Sequence, residues 1–190
     1  MKLENLKTNY LAKNIIYYDV LDSTQELARE ISKNNLPNGT IVIAKNQTNG
    51  KGTHGRKWES KDGKNATFTL ILYPHCNIKK IENISIKIAE TICKAMYEDY
   101  GVNLEIKAPN DIMLKGKKIG GILTQINTIG ETVNELFIGI GFNVNQIKFS
   151  KELQGKATSL IINNISIKVT DIICTICNAL EKELEILIEK

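Results

Sequence analysis

Apolar positions in this chain follow two rhythms, one of short β-branched runs and one of residues recurring every three or four places. Ile15-Ile16-Tyr17-Tyr18-Asp19-Val20 predicts a first strand. Ser23, with Glu26 three residues later, reads as a capping box opening a helix. That helix turns Leu27, Ala28 and Ile31 inward and stops before Pro37-Asn38-Gly39. Thr40-Ile41-Val42-Ile43-Ala44 predicts a strand buried on both faces, and residues 66–73 a third strand in which Phe68, Leu70 and Leu72 alternate. Ile81, Ile84, Ile88, Ile92 and Met96 set a helix over 80–99, closed by Tyr100-Gly101. Leu104-Glu105-Ile106 then enters a turn, Lys107 to Asp111, where Pro109 drives Ala108 out of the helical region. Residues 112–114 and 119–125 form a hairpin about Lys115-Gly116-Lys117-Lys118, and residues 135–145 run as another strand. Residues 145–168 are irregular, after which Thr170 caps a last helix to about residue 189. This order predicts an α+β fold, a mixed, mostly antiparallel sheet backed by helices.

Glycine interrupts the pattern in two places. Gly120-Gly121 and then Gly139 and Gly141 thin two apolar strands, which suits either a cavity floor or close helix–sheet packing. The second place is Gln47-Thr48-Asn49-Gly50-Lys51-Gly52-Thr53-His54-Gly55-Arg56-Lys57-Trp58. Gly50 and Gly52 free the backbone for positive φ, successive N–H groups can cradle an anion, and Lys51 and Arg56 add charge. Trp58 offers a flat face for stacking. The segment is neither a Walker A loop nor G-x-G-x-x-G, and alone it reads equally as a surface hairpin with solvated charges. Ser23 and Thr24 either cap a helix or present hydroxyls beside its N–H groups. Lys107, Asn110 and Asp111 form either a plain turn or a rigid pocket rim for phosphate and its metal.

Composition narrows the options. A chain of 190 residues, 42% hydrophobic, supports one compact domain. No apolar run approaches a bilayer span, and the first residues lack a secretory core, so a cytoplasmic protein with no membrane contact is expected. The net charge of +4 is spread over dispersed lysines, without the basic stripe of a nucleic-acid surface. Cys174-Thr-Ile-Cys177 has redox or metal spacing, but sits on the apolar face of a predicted helix and reads as core.

Taken together, five segments in order resemble the catalytic domain of biotin–protein ligases, across residues 15–160. They are Asp22 to Gln25, Gln47 to Trp58, Lys107 to Asp111, Lys117 to Leu123, and Gly139 to Asn145. The resemblance implies the fold shared with class II aminoacyl-tRNA synthetases. It implies that biotin and ATP, with Mg²⁺, yield biotinyl-adenylate, whose acyl group passes to a lysine of a biotin carboxyl carrier protein. Carried over, Ser23, Thr24, Gln25 and Gln47 look like partners of biotin, with Gly121 and Gly139 in the wall beside it. Lys118 looks like the cation meeting the biotin carboxylate and α-phosphate, with Arg56 as the second catalytic cation. Gly50, Lys51, Gly52, Thr53, Arg56, Trp58, Lys107, Asn110, Asp111 and Asn143 look like the nucleotide side, Asp111 being the candidate near Mg²⁺.

The sequence departs from the family pattern where Lys51 and Thr53 replace arginines and Ala108 replaces tryptophan. The resemblance is to a short form, one domain over 1–190. That form is expected to lack both the N-terminal DNA-binding domain, hence any DNA role, and the C-terminal β-barrel. A homodimer through sheet edges is an option that the family offers. Two alternatives stay open: a lipoate–protein ligase, although its Arg-Arg and Gly-Gly-Gly loop pattern is missing, and a silent biotin-binding scaffold.

Overall fold

A computed structural model describes residues 1–60 and 62–187. Among these, eight strands form one sheet, with strands β1 (Ile15–Leu21), β2 (Thr40–Gln47), β3 (Asn65–Leu72), β4 (Cys76–Asn77), β5 (Glu105–Lys107), β6 (Asp111–Leu114), β7 (Lys117–Ile129) and β8 (Thr132–Asn143). Their order is β1-β2-β3-β8-β7-β6-β5, with β4 beside β8. β1 and β2 are parallel, joined by helix α1 (Thr24–Ile31), and every other pairing is antiparallel. The mixed, mostly antiparallel expectation holds.

Helices α2 (Ile84–Tyr100) and α3 (Val169–Glu185) cover one face. There Phe68, Leu70 and Leu72 of β3 and Ile138, Ile140 and Phe142 of β8 meet Ile88, Ile92, Ile173 and Ile176 in the main core. Cys177 is buried in that core, and desolvation pushes its thiol far up, as the apolar reading of the helix expects. The opposite face is only half covered. Ala28 of α1 packs there on Val42, Ile71 and Phe137, and beyond this small cluster the face carries Thr67 and Thr69 of β3, Gly139 and Gly141 of β8, and Gly121 and Leu123 of β7. β3 is buried on both faces along its length, because Thr67 and Thr69 point away from the main core and are still enclosed. No helix among the described residues is long and apolar enough to cross a membrane.

Several boundaries differ from the sequence reading. Ser23 is the N-cap of α1 in backbone conformation, but its side chain makes no capping bond. The capping box is therefore not formed. Ile81 lies in a separate 3₁₀ turn (residues 78–81), because Asn83 takes φ +59° and restarts the helix at Ile84. Gly101, at φ +66°, ends α2 by donating its N–H to Met96 O and Tyr97 O, as expected. Lys115 and Gly116 both take positive φ, the two-residue turn that matches strand twist, so β7 begins at Lys117. β7 and β8 are longer than expected and meet at Gly130. Lys168, and not Thr170, occupies the N-cap of α3. The helix closes at Glu185, short of the expected end near residue 189, which lies outside the described residues.

Candidate active site

The polar face of the sheet, the N-terminus of α1, the 47–60 loop and the 146–158 segment enclose a cavity of about 490 Å³. Its inner end is built where β2 ends and α1 begins. Gln47 Oε1 accepts from the Thr24 N–H at 2.7 Å and from Thr24 Oγ1 at 3.1 Å. The Thr69 hydroxyl lies 2.9 Å from Thr24 Oγ1 and 3.1 Å from Gln25 Oε1, and Gln25 Nε2 donates to Gln125 Oε1 at 3.0 Å. Ser23, Thr24 and Gln25 are all buried, so this end is preset.

The floor is where the glycines of β7 and β8 lie. A Cβ on Gly141 would sit 2.2 Å from Trp58 Cε2, and one on Gly139 would sit 2.5 Å from Gln25 Oε1. Gly121 lies beside both Lys118 and Trp58. The thinning therefore serves side chains that lie flat on the sheet. Gly121 and Gly141, beneath Lys118 and Trp58, bear out the cavity floor, while Gly139 makes room for Gln25 of α1 and so also serves helix–sheet packing. Trp58 thus rests on the floor, with Lys118 Nζ 5.9 Å from its ring centre.

Lys118 Nζ is bonded to Asp111 Oδ1 at 2.6 Å. Asn110, next to Asp111, donates from Nδ2 to Ile122 O at 2.9 Å. Both backbone groups of Lys118 are held by the 146–158 segment, through Lys118 N–H to Lys156 O at 2.9 Å and Thr158 N–H to Lys118 O at 2.8 Å. Asn143 Nδ2 donates to Thr158 O at 3.0 Å. Lys51, Gly52, Thr53, Arg56 and Lys107 line the outer part, and Arg56 is exposed, folded onto Thr53 O and Thr53 Oγ1. Among the described residues, six cations line the cavity, Lys51, Arg56, Lys57, Lys107, Lys118 and Lys156, against two carboxylates, Glu59 and Asp111. Such a surplus favours a polyanionic ligand.

The buried polar atoms carry a further signal. Among the described residues, Ser23 Oγ, Trp58 Nε1, Thr67 Oγ1 and Asn143 Oδ1 are buried without a hydrogen-bond partner, and all four residues line this cavity. A buried polar group left unpaired costs about 1–3 kcal/mol. Four at one place mark where a ligand with both donors and acceptors would be received.

All but one of the residues that sequence reading named for the site line the cavity. Gly50 is set back from it. Neither Gly50 nor Gly52 takes positive φ, contrary to expectation; in this loop His54 and Gly55 do. Gly50 is required for space, since a Cβ there would lie 2.5 Å from Trp58 O. Glu59, Thr67, Thr69, Gly141, Phe149 and Leu153 also line the cavity and were not assigned to the site. Two threonines among Phe68, Leu70 and Leu72 were a legible sign of a polar second face.

Residues 17–143 match the model of the biotin/lipoate A/B protein ligase family. The chain is 41% identical over 157 residues to the bifunctional ligase/repressor BirA of Bacillus subtilis, covering 82% of this chain and 48% of that one. It is 33% identical to the biotin–[acetyl-CoA-carboxylase] ligase of Paracoccus denitrificans, covering 65% of this chain and 51% of the relative. The chain thus spans about half the length of these curated relatives. Its structure is similar to that of the biotin protein ligase of Aquifex aeolicus in complex with biotin and ATP, with TM-score 0.76 and 28% identity over 91% of this chain and 71% of that one.

Proposed function

The chain belongs to the biotin/lipoate A/B protein ligase family, and we propose that it joins biotin to a lysine of a biotin carboxyl carrier protein by way of biotinyl-adenylate. The observation that carries this reading is the set of four unpartnered buried polar groups around a cavity that also holds Lys118. The ureido ring of biotin offers two N–H donors and a carbonyl acceptor to the Ser23, Thr24 and Gln47 end. Its apolar ring and chain lie over the glycine floor, with Trp58 between them and the nucleotide.

In the first step a carboxylate oxygen attacks the α-phosphorus of ATP, the α–β bridging bond breaks and pyrophosphate leaves. Two anions must meet for this, and their repulsion is the barrier the site has to lower. The Lys118 ammonium, fixed by Asp111 and by its own backbone bonds, is the preorganised cation between them. Lys51 and Arg56 take the outer phosphates. In the second step a lysine amine of the carrier attacks the mixed anhydride, and AMP departs with the bridging oxygen. The enclosing 146–158 segment keeps water from reaching the anhydride first.

Among the described residues no three His, Cys, Asp or Glu side chains cluster as a dedicated metal site. Mg²⁺ carried by nucleotide phosphates needs only one or two carboxylates, and Asp111 on the cavity wall fits that mode. When bound, Mg²⁺ would offset phosphate charge during the first step.

Pyrophosphate release on mixing the chain with ATP, Mg²⁺ and biotin tests the proposal, with transfer of label to a carrier domain as the second readout. Release with biotin is expected. Release with lipoate alone would overturn the substrate, and biotin binding without release would make the chain a scaffold.

A further inference from the structure

Glu59 has no part in the chemistry proposed above, yet it lines the cavity next to Trp58. Both oxygens are engaged by one segment. Oε1 accepts from Gln146 Nε2 at 2.8 Å, and Oε2 accepts from the Ser150 N–H at 3.3 Å. Gln146 is 2% exposed and bonded all round. Its Nε2 also donates to Lys148 O at 3.0 Å, its Oε1 accepts from Asn65 Nδ2, and its backbone O accepts from Ser159 Oγ at 2.6 Å. The bonds to Lys148 O and Ser150 N–H bracket Phe149, an apolar residue of the cavity lining. At its far end the same segment is bonded to Lys118 on both backbone groups. Ser60, next to Glu59, accepts from the Gln47 N–H at 3.0 Å.

An anion in the wall of a site for a triphosphate is unfavourable unless it serves another purpose. Charge-assisted bonds to two N–H donors supply one. We infer that Glu59 is a positioning residue: through Gln146 and Ser150 it fixes the 146–157 segment, and Phe149 within it, as the wall on the nucleotide side of the cavity. The inference rests on the ligase reading above. It couples the glycine-rich loop to the segment that holds Lys118, so the two loops that flank the nucleotide move as one. Glutamate is the side chain required. Glutamine keeps one acceptor oxygen and loses the other, and aspartate is one methylene too short to reach both donors.

The test compares Glu59→Ala, Glu59→Gln, Gln146→Ala and the Glu59→Ala/Gln146→Ala double variant in the full chain. Steady-state turnover gives KM for ATP and kcat, calorimetry gives the biotin Kd, and amide exchange follows residues 146–157 without ligand. Each alanine variant is expected to raise KM for ATP about tenfold, the loss of roughly one charge-assisted bond, and to leave biotin Kd within about twofold. The double variant is expected to be no worse than the worse single, since one strut is lost in all three. Glu59→Gln falls between, and exchange of 146–157 rises in Glu59→Ala while β3 is unchanged. An additive double variant, equal losses in ATP and biotin affinity, or unchanged exchange would each overturn the inference. Should Glu59→Ala not fold, Glu59→Gln carries the same comparison. The exchange readout needs no turnover, so a wild-type chain that releases no pyrophosphate would defeat the ligase reading and leave the strut to be judged by exchange.

Discussion

Lys118 Nζ stands 2.6 Å from Asp111 Oδ1, across the pairing of β7 with β6. Neither residue is fully exposed, with side chains 31% and 16% accessible, so water screens the pair incompletely. The carboxylate therefore aims the ammonium along the cavity wall beside Gly121.

On the proposed mechanism, Lys118→Ala removes the cation that stands between two anions. Loss of one preorganised charge of this kind lowers kcat by about 100- to 1,000-fold. Pyrophosphate release under saturating biotin and ATP measures it. Asp111→Asn keeps the ammonium and is expected to cost less. Unchanged turnover in Lys118→Ala would remove Lys118 from the mechanism.

Gly141→Ala puts a methyl group where the Trp58 ring lies, at 2.2 Å from Cε2 and 2.5 Å from Cζ2. The ring has to leave the floor. Overpacking of this kind costs about 1–3 kcal/mol, readable as a lower denaturant midpoint. Biotin affinity is expected to fall more than about tenfold alongside, because the displaced indole enters the cavity. A variant with wild-type stability and affinity would show that the ring has another resting place.

Arg56→Lys keeps a charge and loses the planar fork. The expected result is a higher KM for ATP, by about tenfold, with biotin Kd unchanged. Titrating the two ligands separately decides the matter. Equal losses would mean that the loop serves biotin as much as phosphate.

Glu181 predicts how stability depends on pH. Burial tends to raise its pKa, but hydrogen bonds from the backbone N–H groups of Asn9, Leu11 and Tyr10 and from the Asn9 side chain outweigh that and hold it below the usual value. A carboxylate with a lowered folded-state pKa contributes stability above its unfolded value, and loses it as pH falls through the folded one. The melting temperature should therefore drop as pH goes below about 4.3, the ordinary glutamate value. Glu181→Gln should be less stable near neutrality and lose that part of the acid-side slope. Parallel slopes in the two proteins would contradict the assignment.

Much of this was legible in the chain. Strand positions followed from β-branched runs, α2 from its apolar spacing, and the glycine-thinned floor from Gly121, Gly139 and Gly141. What sequence could not give was what encloses the far side of each strand. Phe68, Leu70 and Leu72 declared one face of β3, but the enclosure of Thr67 and Thr69 depends on α1 and the 47–60 loop closing from distant parts of the chain. Ser23 misled for a related reason. Its spacing to Glu26 is that of a cap, whereas its hydroxyl lines a cavity that only the tertiary fold creates. Glu59 gave no local signal, because its partners lie about ninety residues away.

Trp58 is the only tryptophan in the chain, and it lies on the cavity floor beside Lys118. The protein thus carries a built-in optical reporter. Any molecule that enters the cavity must alter the polarity around one indole, with no other emitter of its kind to dilute the change. Occupancy can be read from ultraviolet emission in unlabelled protein, and stopped-flow mixing would separate the arrival of ligand from the settling of the loops around it.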